Sequence, residues 1–116
     1  MNLEIGTDIE EITRFREKPY DKNKGFYEKV FTENEILYCM EKADPYQHFA
    51  VRFCAKEAVI KALQNKKVSF NEIEVINEDN IPKIKINLEN FNEMDIKVSL
   101  SHTKNYAVAY VIVVKN

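Results

Sequence analysis

The sequence predicts an α+β domain in which an antiparallel β-meander packs on a long central helix. Three observations predict it. From Gln47 to about Leu63 runs a stretch of helix formers with no glycine or proline. The segments that follow alternate apolar and polar residues with period two, as half-buried strands do. The last of them, Tyr106 to Val114, is rich in β-branched and aromatic residues.

In chain order, Leu3 to Ile9 alternates and reads as a short strand carrying Asp8 near its end. Ile9, Ile12 and Phe15 then recur at near-helical spacing, which predicts a turn or two of helix before a polar stretch through Gly25. Thr32 and Glu35 have the spacing of a capping box and open a helix to about Met40. Asp44-Pro45 is a break. In the central helix Ala50, Phe53, Cys54, Ala58 and Ala62 supply a packed side, and Arg52, Lys56, Glu57 and Lys61 are charged exceptions. Strands follow at Ile73–Ile76, Lys83–Leu88 and Ile96–Ser101, and His102 to Asn105 forms the hairpin loop before the last strand.

Composition narrows the function. The chain has 116 residues, 45% hydrophobic and 31% charged, with a formal net charge of -2. That length supports one core, so residues 1–116 read as one domain. The longest apolar stretch is too short to cross a bilayer, and the start lacks the pattern of a signal peptide. A mild acidic excess argues against a nucleic-acid binder. Two cysteines, Cys39 and Cys54, make neither a disulfide framework nor a zinc site and fit a reduced, cytoplasmic protein. Gly6 and Gly25 stand alone, which excludes a P-loop and a dinucleotide fingerprint. Phosphate, if bound, must be held by side chains or a metal. Charge is uneven: Arg14, Arg16, Lys18, Lys22, Lys24 and Lys29 crowd one stretch, a surface suited to an acidic partner or a solvated loop.

Three places put polar groups where the local pattern is apolar: Asp8 in its strand, the charged stripe of the central helix, and Ser99 to Thr103 where a strand enters a turn. Taken singly, each has a plain structural explanation. Asp8 caps a turn, Glu57 and Lys61 make a surface pair four residues apart, and His102 is solvated in its loop. Taken together they also suit phosphate chemistry. Two carboxylates are what a magnesium ion needs when substrate phosphate and water complete its shell. Lys56, Lys61 and His102 would then supply donors to phosphate oxygens.

The segments Gly6–Phe15, Phe31–Glu35, Arg52–Leu63 and Ser99–Ala109 together resemble holo-acyl-carrier-protein synthase, the small bacterial class of 4'-phosphopantetheinyl transferase, in order and over essentially the whole chain. The resemblance implies the fold of that class, and an enzyme that moves 4'-phosphopantetheine from coenzyme A to a serine of apo acyl carrier protein for fatty acid synthesis, releasing adenosine 3',5'-bisphosphate. By position it implies Asp8 and Glu57 as Mg2+ ligands and Lys61 on the diphosphate. His102 and Thr103 fall on the nucleotide phosphates, with Arg52 and Lys56 as further candidates. Arg14 falls on an acidic helix of the carrier. The serine proton passes to a metal-bound water or to Glu57. It also implies a homotrimer with active sites between subunits, lined by side chains such as Tyr106 and Tyr110. The chain departs from the family at Gln64–Val68, where a glycine-rich stretch is usual, and at Asn80, where Asn replaces a glycine; Asn65 and Asn80 both tolerate a left-handed backbone. Two other readings remain: a non-catalytic module that binds coenzyme A or a carrier, and an α+β oligomerisation domain.

Overall fold

In the computed structural model, residues 2–64, 67–88 and 94–115 are described. Strand β1 (Asn2–Glu11) lies antiparallel to β5 (Tyr106–Lys115), and β5 pairs on its other edge with β4 (Asp95–His102). The chain's two ends thus lie side by side in the sheet β1-β5-β4. Strands β2 (Ile73–Glu78) and β3 (Ile81–Ile86) form a separate antiparallel hairpin. The antiparallel meander is therefore interrupted between β3 and β4, and β1 is inserted at the sheet's far edge. Asp79 and Asn80 close the β2–β3 hairpin with φ of 54° and 66°, the left-handed pair a two-residue turn needs.

The helices are α1 (Thr13–Arg16), α2 (Lys24–Val30), α3 (Glu33–Met40) and α4 (Pro45–Leu63). Strand β1 runs on to Glu11, so Ile9 belongs to the sheet and the helical turn starts only after Ile12. The polar stretch conceals α2, whose Tyr27 and Val30 are buried. Pro45 does not break α4 but starts it, at N1 behind Asp44, whose carboxylate accepts from Gln47 N at 3.4 Å. Helix α4 ends at Gln64, which takes φ 57° itself; the departure at Asn65 and Lys66 lies outside the described residues.

Helix α4 is central because small residues let it come close to the sheet. Ala50, Cys54, Ala58 and Ala62 are buried against β1 and β5, whose inward residues include Ala107, Ala109 and Val111. Gly6 sets the distance. A Cβ there would lie 1.9 Å from Ala58 O and 2.9 Å from Ala62 N, both backbone atoms of α4 that no rotamer change can move. Gly6→Ala is therefore expected to cost about 2–3 kcal/mol, the upper part of the range for overpacking. Gly25→Ala meets nothing within 4 Å and is its control. Urea unfolding of both variants checks this; wild-type stability in Gly6→Ala would refute the close approach.

The opposite face of the sheet is uncovered in the single chain. Leu3, Ile5 and Ile9 of β1 and Tyr106, Val108 and Tyr110 of β5 are exposed there, at 36–62% of their surface. No helix among the described residues is long and apolar enough to cross a membrane.

Candidate active site

Asp8 sits inside β1, opposite Ala109 of β5, and is not a helix cap. Alternation turns Gly6, Asp8 and Glu10 to the α4 side of the strand, while Ile5, Thr7 and Ile9 face out. The closeness enforced by Gly6 brings Asp8 beside the last turns of α4, where Glu57 and Lys61 stand one turn apart. Lys61 Nζ donates to Thr7 O at 3.0 Å and to Asp8 Oδ1 at 3.2 Å. Cys54 Sγ donates to Asp8 O at 3.1 Å and to Ala107 O at 3.3 Å, tying α4 to both strands. Burial and the nearby Asp8 charge push the Cys54 thiol up, so it stays protonated and able to donate.

Negative charge here is incompletely neutralised. Asp8 Oδ2 is buried without a hydrogen-bond partner. Burial, then the Asp8 charge, pushes Glu57 up, against the pull of Lys61 and Arg14. Glu10, which the sequence reading passed over, joins the group. Burial and the charges of Asp8 and Glu57 push it up to about 7, against Arg14. Arg14 Nη1 donates to Glu10 Oε1 at 2.6 Å, and its guanidinium lies over the rings of Phe15 and Phe53. The alternation of Asp8 and Glu10 was the signal for Glu10, and ending the strand at Ile9 hid it.

The donor set suits a hard cation. An orphaned buried carboxylate oxygen beside a second, like-charged carboxylate is the environment a divalent ion relieves. No group of three or more His, Cys, Asp or Glu forms a ready-made ion cage among the described residues. A magnesium ion that keeps waters and takes phosphate ligands needs only one or two carboxylates.

Other predicted residues lie elsewhere. His102 and Thr103 are exposed at the β4–β5 turn, where Gln47 Nε2 donates to His102 Nε2 at 2.9 Å. Gln47 is ten residues before Glu57, about 15 Å along the helix axis, so His102 does not share the Asp8 cluster. Arg52 is 5% exposed, over the Tyr38 ring, with its Nε unpartnered. Lys56 is a correction. It is fully buried, with Nζ 2.7 Å from Glu35 Oε1, and it donates to the carbonyls of Phe70 and Ile73. It points into the core between α3 and β2 and cannot reach a ligand at the cluster.

A carboxylate pair with an exposed lysine, on a strand–helix contact beside an arginine at the surface, is compatible with phosphoryl transfer. Comparison with known proteins makes the class definite: residues 4–111 match the model of the 4'-phosphopantetheinyl transferase superfamily, and the chain belongs to that family. Within it, the relatives are holo-[acyl-carrier-protein] synthases. That of Thermodesulfovibrio yellowstonii is 46% identical, over 94% of this chain and 96% of its own. That of Ruminiclostridium cellulolyticum is 41% identical, over 97% and 92%. The Helicobacter pylori synthase, solved with coenzyme A, superposes with a TM-score of 0.83 at 30% identity, covering 95% of this chain and 99% of its own. The Bacillus anthracis synthase, solved in complex with CoA (3',5'-ADP), gives 0.79 at 34%, covering 95% and 94%.

Proposed function

We propose that this protein transfers 4'-phosphopantetheine from coenzyme A to a serine of an apo acyl carrier protein, with magnesium held by Asp8 and Glu57. The observation that carries the reading is the pair of under-neutralised carboxylates facing exposed Lys61, in a chain whose relatives bear that name. The serine oxygen bonds to the β-phosphorus as its proton passes to Glu57 or to water, the phosphoanhydride bond breaks, and adenosine 3',5'-bisphosphate leaves. Lys61, with its side chain 54% exposed, turns from Thr7 O and Asp8 Oδ1 to meet the diphosphate and offset charge on the leaving group. Bound magnesium supplies charge neutralisation and polarisation of the phosphorus under attack. His102 and Thr103 take nucleotide phosphate, and Arg52, whose Nε lacks a partner, is a further candidate for the same task. Arg14, at the head of the basic stretch, meets the acidic carrier.

We place the enzyme in the cytoplasm, in fatty acid synthesis, in keeping with its free, buried cysteines. We also read it as a homotrimer with active sites between subunits. The distance of His102 from Asp8 in one chain supports a shared site, and the exposed apolar sheet face supports a partner.

The direct test is incubation with coenzyme A, Mg2+ and apo carrier protein, followed by mass spectrometry of the carrier. Gain of one phosphopantetheine is expected; coenzyme A binding with no mass gain would instead make this a binding module. The assembly has its own test. Tyr110→Glu puts a charge on the apolar face and is expected to shift sedimentation to the monomer, with transfer falling about 100-fold or more. A variant that remains trimeric, or is active as a monomer, overturns the shared site.

A further inference from the structure

Glu10 holds neither metal nor phosphate in the proposed reaction, yet it stands between Arg14 and Asp8. Its Oε1 takes the Arg14 guanidinium at 2.6 Å, and it stands two residues from Asp8 on the same inward face of β1. The arrangement runs from surface to interior. The Arg14 side chain is 59% exposed, Glu10 is 12% exposed, and Asp8 ends the line with an oxygen that has no partner. We infer that Glu10 is a positioning residue through which docking of an acidic carrier at Arg14 is coupled to cation binding at Asp8 and Glu57. This rests on the reading of Arg14 as a carrier contact and adds to it a mechanism.

The coupling follows from competition for charge. While Arg14 holds Glu10, its positive charge is spent on the cluster of Asp8, Glu10 and Glu57. A carboxylate of the carrier draws the guanidinium away, the cluster becomes more negative, and it holds a divalent cation more tightly. In the other direction, a cation at Asp8 and Glu57 takes up the field in which Glu10 sits, and Arg14 is released toward the carrier. Linkage requires the two effects to be equal in size. Arg14 need not be rebuilt to change partners. Its guanidinium lies 5.8 Å from the Phe15 ring centroid and 5.5 Å from that of Phe53, and these aromatic contacts hold the side chain whichever carboxylate it faces. Phe53 is one turn before Glu57 on α4, so the same helix carries the ring under Arg14 and the cluster's second carboxylate. Were the Glu10–Arg14 contact only a surface pair four residues apart, it would add a little stability and transmit nothing.

Calorimetric titration of apo carrier protein into the whole protein, with and without saturating Mn2+, tests the inference with a binding readout. In the wild type, Mn2+ is expected to tighten carrier binding about five-fold, near the low end of measured couplings. In Glu10→Gln the effect should shrink to under about two-fold, while carrier binding without Mn2+ stays equal or becomes tighter because Arg14 is already free. Full coupling in Glu10→Gln, or none in the wild type, overturns the inference. Arg14→Ala separates it from its base. If that variant binds carrier about ten-fold more weakly, the docking reading stands whatever the coupling result. If it binds as the wild type does, the docking reading falls and the inference with it. A thermal melt of each variant confirms that the comparison is between folded proteins.

Discussion

Glu57→Gln is expected to lower phosphopantetheine transfer by roughly three orders of magnitude, the loss that follows when a metal-ligating carboxylate is removed from a charge-neutralising site. The same substitution should leave the fold as stable as before, or more stable. Burial and the Asp8 charge make ionised Glu57 unfavourable where it stands, and an uncharged amide of the same shape relieves both. The opposed signs make the result diagnostic. If Glu57 were only the partner of Lys61 on a helix surface, the variant would lose a few tenths of a kcal/mol and keep its activity. Lys61 is engaged with Thr7 O and Asp8 Oδ1, so it loses no close ion pair with Glu57. Turnover by mass spectrometry and a urea melt in metal-free buffer read the two quantities separately. Near-normal transfer in Glu57→Gln would remove the metal-ligand role; a large stability loss would make the residue structural.

The elements legible in the sequence are those whose signal is local. Thr32 and Glu35 announced a capping box, and Thr32 Oγ1 and the Glu35 carboxylate exchange their hydrogen bonds with each other's backbone. Asn80 announced a left-handed turn residue and takes φ 66°. Helix α4 was readable because nothing in its interior opposes a helix, although its start was misplaced by treating Pro45 as an end instead of an N1 residue. What was lost depended on distant partners. Gly6 reads in the sequence only as an isolated glycine within a strand, yet its role is set by Ala58, far along the chain. Helix α2 was hidden because Lys24, Gly25, Glu28 and Lys29 dilute the spacing of Phe26, Tyr27 and Val30. Glu10 was lost with the two residues cut from the end of β1. At the site, Asp8, Glu57 and Lys61 were named from a pattern and lie together, whereas Lys56, named from the same stripe, faces the other way. A stripe of charge on a buried helix does not say which neighbour each charge meets.

That neighbour makes Lys56 the site of the largest stability effect expected here. Lys56→Ala should cost about 3–5 kcal/mol, the range for removing one partner of a buried ion pair. The loss has identifiable parts. Glu35 is 1% exposed and would keep a charge with no cation beside it. The carbonyls of Phe70 and Ile73 would lose their shared donor. Glu35 also accepts from Thr32 N at 2.9 Å and Val75 N at 2.8 Å, so disturbing it loosens the start of α3 and the middle of β2 together. Nearby, Glu74 accepts from Thr32 Oγ1 at 2.7 Å, extending the polar network to the rim. The desolvation cost of the pair is itself high, so removing both charges should do less harm than removing one. Glu35→Gln with Lys56→Met is expected to recover much of the stability lost in Lys56→Ala, as measured by urea unfolding. The folded double variant should bind coenzyme A with an unchanged KM, since neither side chain reaches the Asp8 cluster. Had Lys56 been a phosphate ligand, Lys56→Met would instead raise that KM and leave stability almost untouched. The two readings move different measurements, and the buried contact with Glu35 decides for the first.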